Sequence, residues 1–76
     1  MMTELVRVYV NAEGVNVPAG ASALDCVRAW RGAEADAVAA GKRLITDSRG
    51  LPIPATTPAS AGSIYRTVTS RADRDA

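Results

Sequence analysis

The sequence predicts an α+β domain, a mixed sheet of four to five strands with one main helix packed on one face. Three observations lead to this expectation. Residues 5–11, LVRVYVN, set Val6, Val8 and Val10 against Arg7, Tyr9 and Asn11, the period of two that gives a strand one buried face. Residues 22–30 place Ala23, Cys26, Val27 and Trp30 at i, i+3, i+4 and i+7, a single apolar stripe on a helix. Residues 63–70, following Gly62, form a strand-like run of Ile64, Tyr65, Thr67 and Val68.

The first strand spans about 5–11. NAEG follows, with Asn11 and Gly14 suited to a tight turn, and Val15 and Val17 then share one face until Pro18 ends the ladder, giving an antiparallel hairpin. Ser22 is a good helix N-cap, and Asp25 three residues on approaches a capping box. Gly32 is expected to interrupt that helix. A second short helical segment, AEADAVAAG, ends at Gly41, a natural left-handed terminus. KRLIT supplies a third strand through Leu44 and Ile45. DSRG is a turn in which Asp47 bonds its own backbone and Gly50 takes positive φ. LPIPATTP carries Pro52, Pro54 and Pro58, so it makes at best a short edge strand.

Sequential pairing and a right-handed crossover set the first and last strands side by side and parallel, with the helix across one face. That order is the architecture of a β-grasp (ubiquitin-like) domain. The segment VPAGASALDCVRAW resembles the second strand and helix start of TGS domains and of the small sulfur-carrier proteins of thiamine and molybdopterin biosynthesis. TTPASAGSIYRTVTS is similar to their closing unit, in which Thr-Pro, a bend and Gly lead into the last strand. The resemblance implies a β-grasp fold over roughly residues 5–70. It also implies carrier chemistry or an RNA contact as alternative functions. Sulfur carriers end in Gly-Gly, whereas this sequence ends in Asp75 and Ala76 with no glycine after Gly62, which disfavours the carrier reading.

The two ways of reading the last strand differ by one residue. The resemblance turns Tyr65 and Thr67 inward, whereas hydrophobicity alone turns Ile64 and Val68 inward, and a one-residue slip exchanges the faces. The site reading below follows hydrophobicity.

With 76 residues, one domain over residues 1–70 is expected, burying about 60% of the surface its unfolded chain exposes. A charged, mobile tail over 71–76 is expected to follow. The chain is 47% apolar and 22% charged with net charge +1, as in ordinary globular proteins. Its Lys and Arg residues are scattered among acids, so no basic stripe marks it as a polyanion binder. The lone Cys26 excludes an internal disulfide and fits a reducing, cytoplasmic setting. The N-terminus lacks the charge and apolar run of a leader, and no stretch approaches the roughly 20 apolar residues of a membrane span.

No histidine is present, so imidazole bases, Ser-His or Cys-His pairs and histidine metal ligands are all missing. The carboxylates show no paired spacing. The expectation is therefore no catalytic residue, no cofactor and no metal. Cys26, within the apolar stripe, reads as a buried structural thiol, Trp30 as a plug between helix and sheet, and Asp47–Gly50 as a polar surface turn rather than an anion cradle. Arg7 and Tyr9 face away from the helix if the valines face in, and the hydrophobicity-based register adds Tyr65 to them. Tyr and Arg are favoured at interface centres. The expected partner-binding residues are thus Arg7, Tyr9 and Tyr65, on a non-catalytic module that docks a protein through its sheet face or an edge strand. Nucleic acid is the weaker alternative partner, and no membrane is involved.

Overall fold

The computed structural model describes residues 4–70. They form a small α+β domain with a four-stranded mixed sheet and two helices: β1 (Leu5–Val10), β2 (Glu13–Pro18), α1 (Ala23–Trp30), α2 (Gly32–Ala39), β3 (Arg43–Thr46) and β4 (Ile64–Thr69). The sheet order is β2-β1-β4-β3. β1 pairs antiparallel with β2 and parallel with β4, and β3 closes the far side antiparallel to β4. The expected meeting of first and last strands is present. Among the described residues the proline-rich segment forms no fifth strand. It contributes isolated bridges, Thr46 with Pro52 and Ser22 with Pro58, because proline cannot donate to a ladder. The tail expected over 71–76 lies outside the described residues, and no described helix is long and apolar enough to cross a membrane.

The hairpin turn differs from the expectation. Val10 pairs directly with Glu13, leaving Asn11 and Ala12 as a two-residue loop with φ of 51° and 70°. Positive φ at both positions is the twist-matched turn that joins antiparallel strands. Gly14 instead lies within β2, opposite Tyr9.

Ser22 caps α1 through both halves of a capping box: its hydroxyl accepts from the Asp25 backbone N–H at 3.1 Å, and the Asp25 carboxylate accepts from the Ser22 N–H at 3.2 Å. The break between the helices falls at Arg31, whose φ of −152° is extended, and Gly32 opens α2 rather than ending α1. Gly41, at φ 82°, takes the left-handed position just beyond α2 as its sequence position indicates. Ala23, Cys26 and Val27 of α1 and Ala35 of α2 pack with Val8, Val10 and Val17 of the hairpin.

A polar network joins α2 to the sheet. The Thr67 hydroxyl donates to Glu34 Oε2 at 2.7 Å and accepts from Asn11 Nδ2 at 2.9 Å, while the Thr67 N–H donates to Asn11 Oδ1 at 3.1 Å. Arg43 donates to the same Glu34 oxygen through Nε and Nη2, at 3.2 and 3.0 Å, and its Nη1 donates to Thr69 Oγ1 at 2.9 Å. Each inward polar group of β4 thus has a partner, which offsets the cost of removing it from water.

An alanine in the left-handed region costs on the order of 1 kcal/mol, so Ala12→Gly is expected to raise the urea-unfolding free energy by about that amount; a loss of stability would contradict the turn geometry. The Thr67 hydroxyl, and then Arg43, hold the Glu34 carboxyl below the ordinary glutamate range. Its stabilising effect is therefore complete above that range and lost as the pH falls through the lower folded-state value. Glu34→Gln is expected to cost about 1 kcal/mol at neutral pH and to leave a stability less sensitive to acidification. Parallel pH profiles of the two proteins, measured by urea titration, would show that the carboxylate contributes nothing.

Candidate protein-docking face

The sheet buries one face under the helices and leaves the other open. On β1, Val8 and Val10 turn inward and are fully buried, so Leu5, Arg7 and Tyr9 turn outward and are exposed. The expected outward placement of Arg7 and Tyr9 is what the structure shows.

Tyr65 lies on the opposite side. It is only 4% exposed and belongs to the core cluster with Val10, Val27 and Ile45, so it is not available to a partner on the open face. The register sets this orientation: Tyr9 pairs with Ile64 and Val10 with Tyr65, and paired residues share a face. Two physical reasons favour the inward tyrosine. The chain has no phenylalanine, and the other core residues are Val, Ala, Cys and Ile, so Tyr65 supplies the one large side chain of the cluster. The alternative would also remove Thr67 from Asn11 and Glu34. Burial raises the Tyr65 phenol above its ordinary pKa, opposed in part by a hydrogen bond with Ser63.

The outward positions of β4 are Ile64, Arg66 and Val68, with Ile64 46% and Val68 41% exposed. Tyr9 stands directly beside Ile64, and Leu44 of β3 beside Val68. An apolar band thus crosses three strands from Tyr9 to Leu44, interrupted by Arg66. A shallow depression of about 310 Å³ opens at its upper end, lined by Tyr9, Ala12, Ile64 and Arg66. Ile64 also lines a second depression, of about 370 Å³, which runs toward the turn at Asp47 and Ser48. Ile64, Arg66, Val68 and Leu44 are the surface residues that hydrophobicity missed. The signal that could have found them is the pairing of volume with polarity along β4, where only Tyr65 is large enough to fill a valine and alanine core.

The other singled-out residues are engaged elsewhere. Cys26 is buried, and burial followed by the nearby Asp25 charge pushes its thiol up. Trp30 is half-buried, its indole N–H donates to the Glu13 carboxylate, and the Arg31 guanidinium lies 4.7 Å from the ring centre. In the Asp47–Gly50 turn, the Asp47 carboxylate accepts from the N–H groups of Arg49 and Leu51 and pairs with the Arg49 guanidinium. A carboxylate occupies the position an anion would need.

Replacing each tyrosine by alanine separates the two faces. Tyr65→Ala is expected to cost about 3 kcal/mol, and Tyr9→Ala less than about 1 kcal/mol, by urea denaturation. Equal losses would place both rings in the core. Compared with family models, with curated proteins and with solved structures, the chain gives no match to any of them.

Proposed function

We propose that this protein is a small, non-catalytic β-grasp module that docks a protein partner through its open sheet face. The β-grasp reading is supported by the strand order with β1 and β4 parallel at the centre, by α1 following the hairpin, and by the resemblance of residues 17–30 and 56–70 to TGS domains and small sulfur carriers. The observation that carries the docking reading is a pair of apolar couples on the open face, Tyr9 beside Ile64 and Leu44 beside Val68, separated along β4 by Arg66 and uncovered by any described segment. Single apolar residues are ordinary on a surface, whereas paired apolar side chains grouped with arginine and tyrosine on one face have the composition of an interface centre. Tyr9 therefore remains in the site, Arg7 borders it, and Ile64 and Arg66 take the place assigned to Tyr65 from the sequence.

Ile64→Asp tests this reading. The side chain is half-exposed, so melting temperature is expected to change little, while a carboxylate directly beside Tyr9 removes partner capture. The readout is affinity purification with quantitative mass spectrometry, comparing wild type with the variant and with Arg28→Ala, a substitution on the helix side. A partner retained equally by all three proteins would refute docking through this face.

A further inference from the structure

The charges around the open face identify the chemistry of the partner, and this inference rests on the docking reading above. Most charged side chains of the described residues are satisfied within the molecule. Arg28 pairs with Asp36, Arg43 with Glu34 and Arg49 with Asp47, and Arg31 lies over Trp30. Among the carboxylates, Glu13 holds the Trp30 indole and Asp25 closes the capping box.

Arg7 and Arg66, like Glu4 and Lys42, form no ion pair among the described residues, and these two arginines stand on outward positions beside the Tyr9–Ile64 pair. Arg7 lays its guanidinium over Gly14: a Cβ on that glycine would fall 2.6 Å from Nη2. Gly14, Tyr9 and Ile64 form one row across β2, β1 and β4, with adjacent strands about 4.8 Å apart. The Arg7 head therefore flanks the apolar pair on the β2 side. Arg66 borders the pair from two residues further along β4, where it lines the depression. The outward strand positions carry no carboxylate at all.

We infer that the occupant of this face is an acidic protein segment, one that seats an apolar side chain between Tyr9 and Ile64 and places carboxylates on either side of it, against Arg7 and Arg66. A second copy of this chain does not fit. A two-fold pairing brings the same patch against itself, so two arginines from each copy would meet across described strand positions that carry no carboxylate, and like charges held together oppose binding. A nucleic acid fits less well, because two arginines amid leucine, isoleucine and valine neutralise few phosphates and leave the apolar band without a partner.

The test titrates the full chain, followed by amide NMR shifts and fluorescence anisotropy, with three capped peptides and one oligonucleotide. The first peptide has a central leucine flanked by aspartates, the second lysines in place of the aspartates, and the third alanine in place of the leucine; the oligonucleotide is oligouridylate. The leucine–aspartate peptide is expected to bind, to shift Arg7, Tyr9, Ile64 and Arg66, and to weaken as salt is added. Arg7→Glu combined with Arg66→Glu is expected to weaken it about tenfold and to improve binding of the lysine peptide. Equal or tighter binding of the lysine peptide to the wild type, tighter binding of oligouridylate, or no shift at millimolar leucine–aspartate peptide would each overturn the inference. These outcomes leave the docking reading standing, since only retained partner capture by the Ile64→Asp variant removes that.

Discussion

The parallel pairing of β1 with β4 determines which side of the last strand meets the helices. Only a short length is paired, through Tyr9 with Ile64 and Val10 with Tyr65, and the backbone bonds that hold it run from the Tyr9 N–H to the Ser63 carbonyl at 2.9 Å and from the Asn11 N–H to the Tyr65 carbonyl at 3.0 Å. Shifting this register by one residue would expose Tyr65 and Thr67 and bury Ile64, Arg66 and Val68. The core would then have an arginine where a threonine now finds two partners. The outer face would lose the apolar band. Fold and surface are thus fixed by the same few bonds.

Side chains reinforce what the backbone begins. Thr67 is bound on one side by Asn11, from the hairpin turn, and on the other by Glu34, from α2. Arg43 completes the arrangement from β3. Four separate elements meet at this point, and each polar group has a partner, so the network penalises the slipped register more than it adds to total stability. Removing one member leaves others unpaired in a half-buried site, where the loss is larger than the net worth of any one bond. The left-handed backbone at Asn11 belongs to the same device, because it presents the side chain to β4 while reversing the chain.

Local features were legible in the sequence where one residue type answers one local need. The valine alternation marks β1, the Ser22 and Asp25 spacing gives a real capping box, and Gly41 and Gly50 occupy positive φ. Other features depended on distant partners. Hydrophobicity favours Ile64 and Val68 as core residues, and the reasons they are not lie 56 residues away at Asn11 and 33 residues away at Glu34 from Thr67. The turn was misplaced because Gly14 looks like a turn residue, whereas the register of valines on both strands puts Asn11 and Ala12 at the reversal. The outward placement of Arg7 and Tyr9, two of the three expected contact residues, was visible from β1 alone. The placement of the third, Tyr65, required the register of β4. Charge was the least legible property of all, since composition gives a near-neutral chain and only the fold separates, among the described residues, the ion-paired arginines from Arg7 and Arg66 beside the band.

Scalar coupling across the β1–β4 hydrogen bonds, measured by NMR on isotopically labelled protein, tests this arrangement most directly. Couplings from the Tyr9 amide to the Ser63 carbonyl and from the Asn11 amide to the Tyr65 carbonyl are expected. Couplings displaced by one residue, to the carbonyls of Ile64 and Arg66, would turn Tyr65 to the outside and contradict both the core and the proposed docking face.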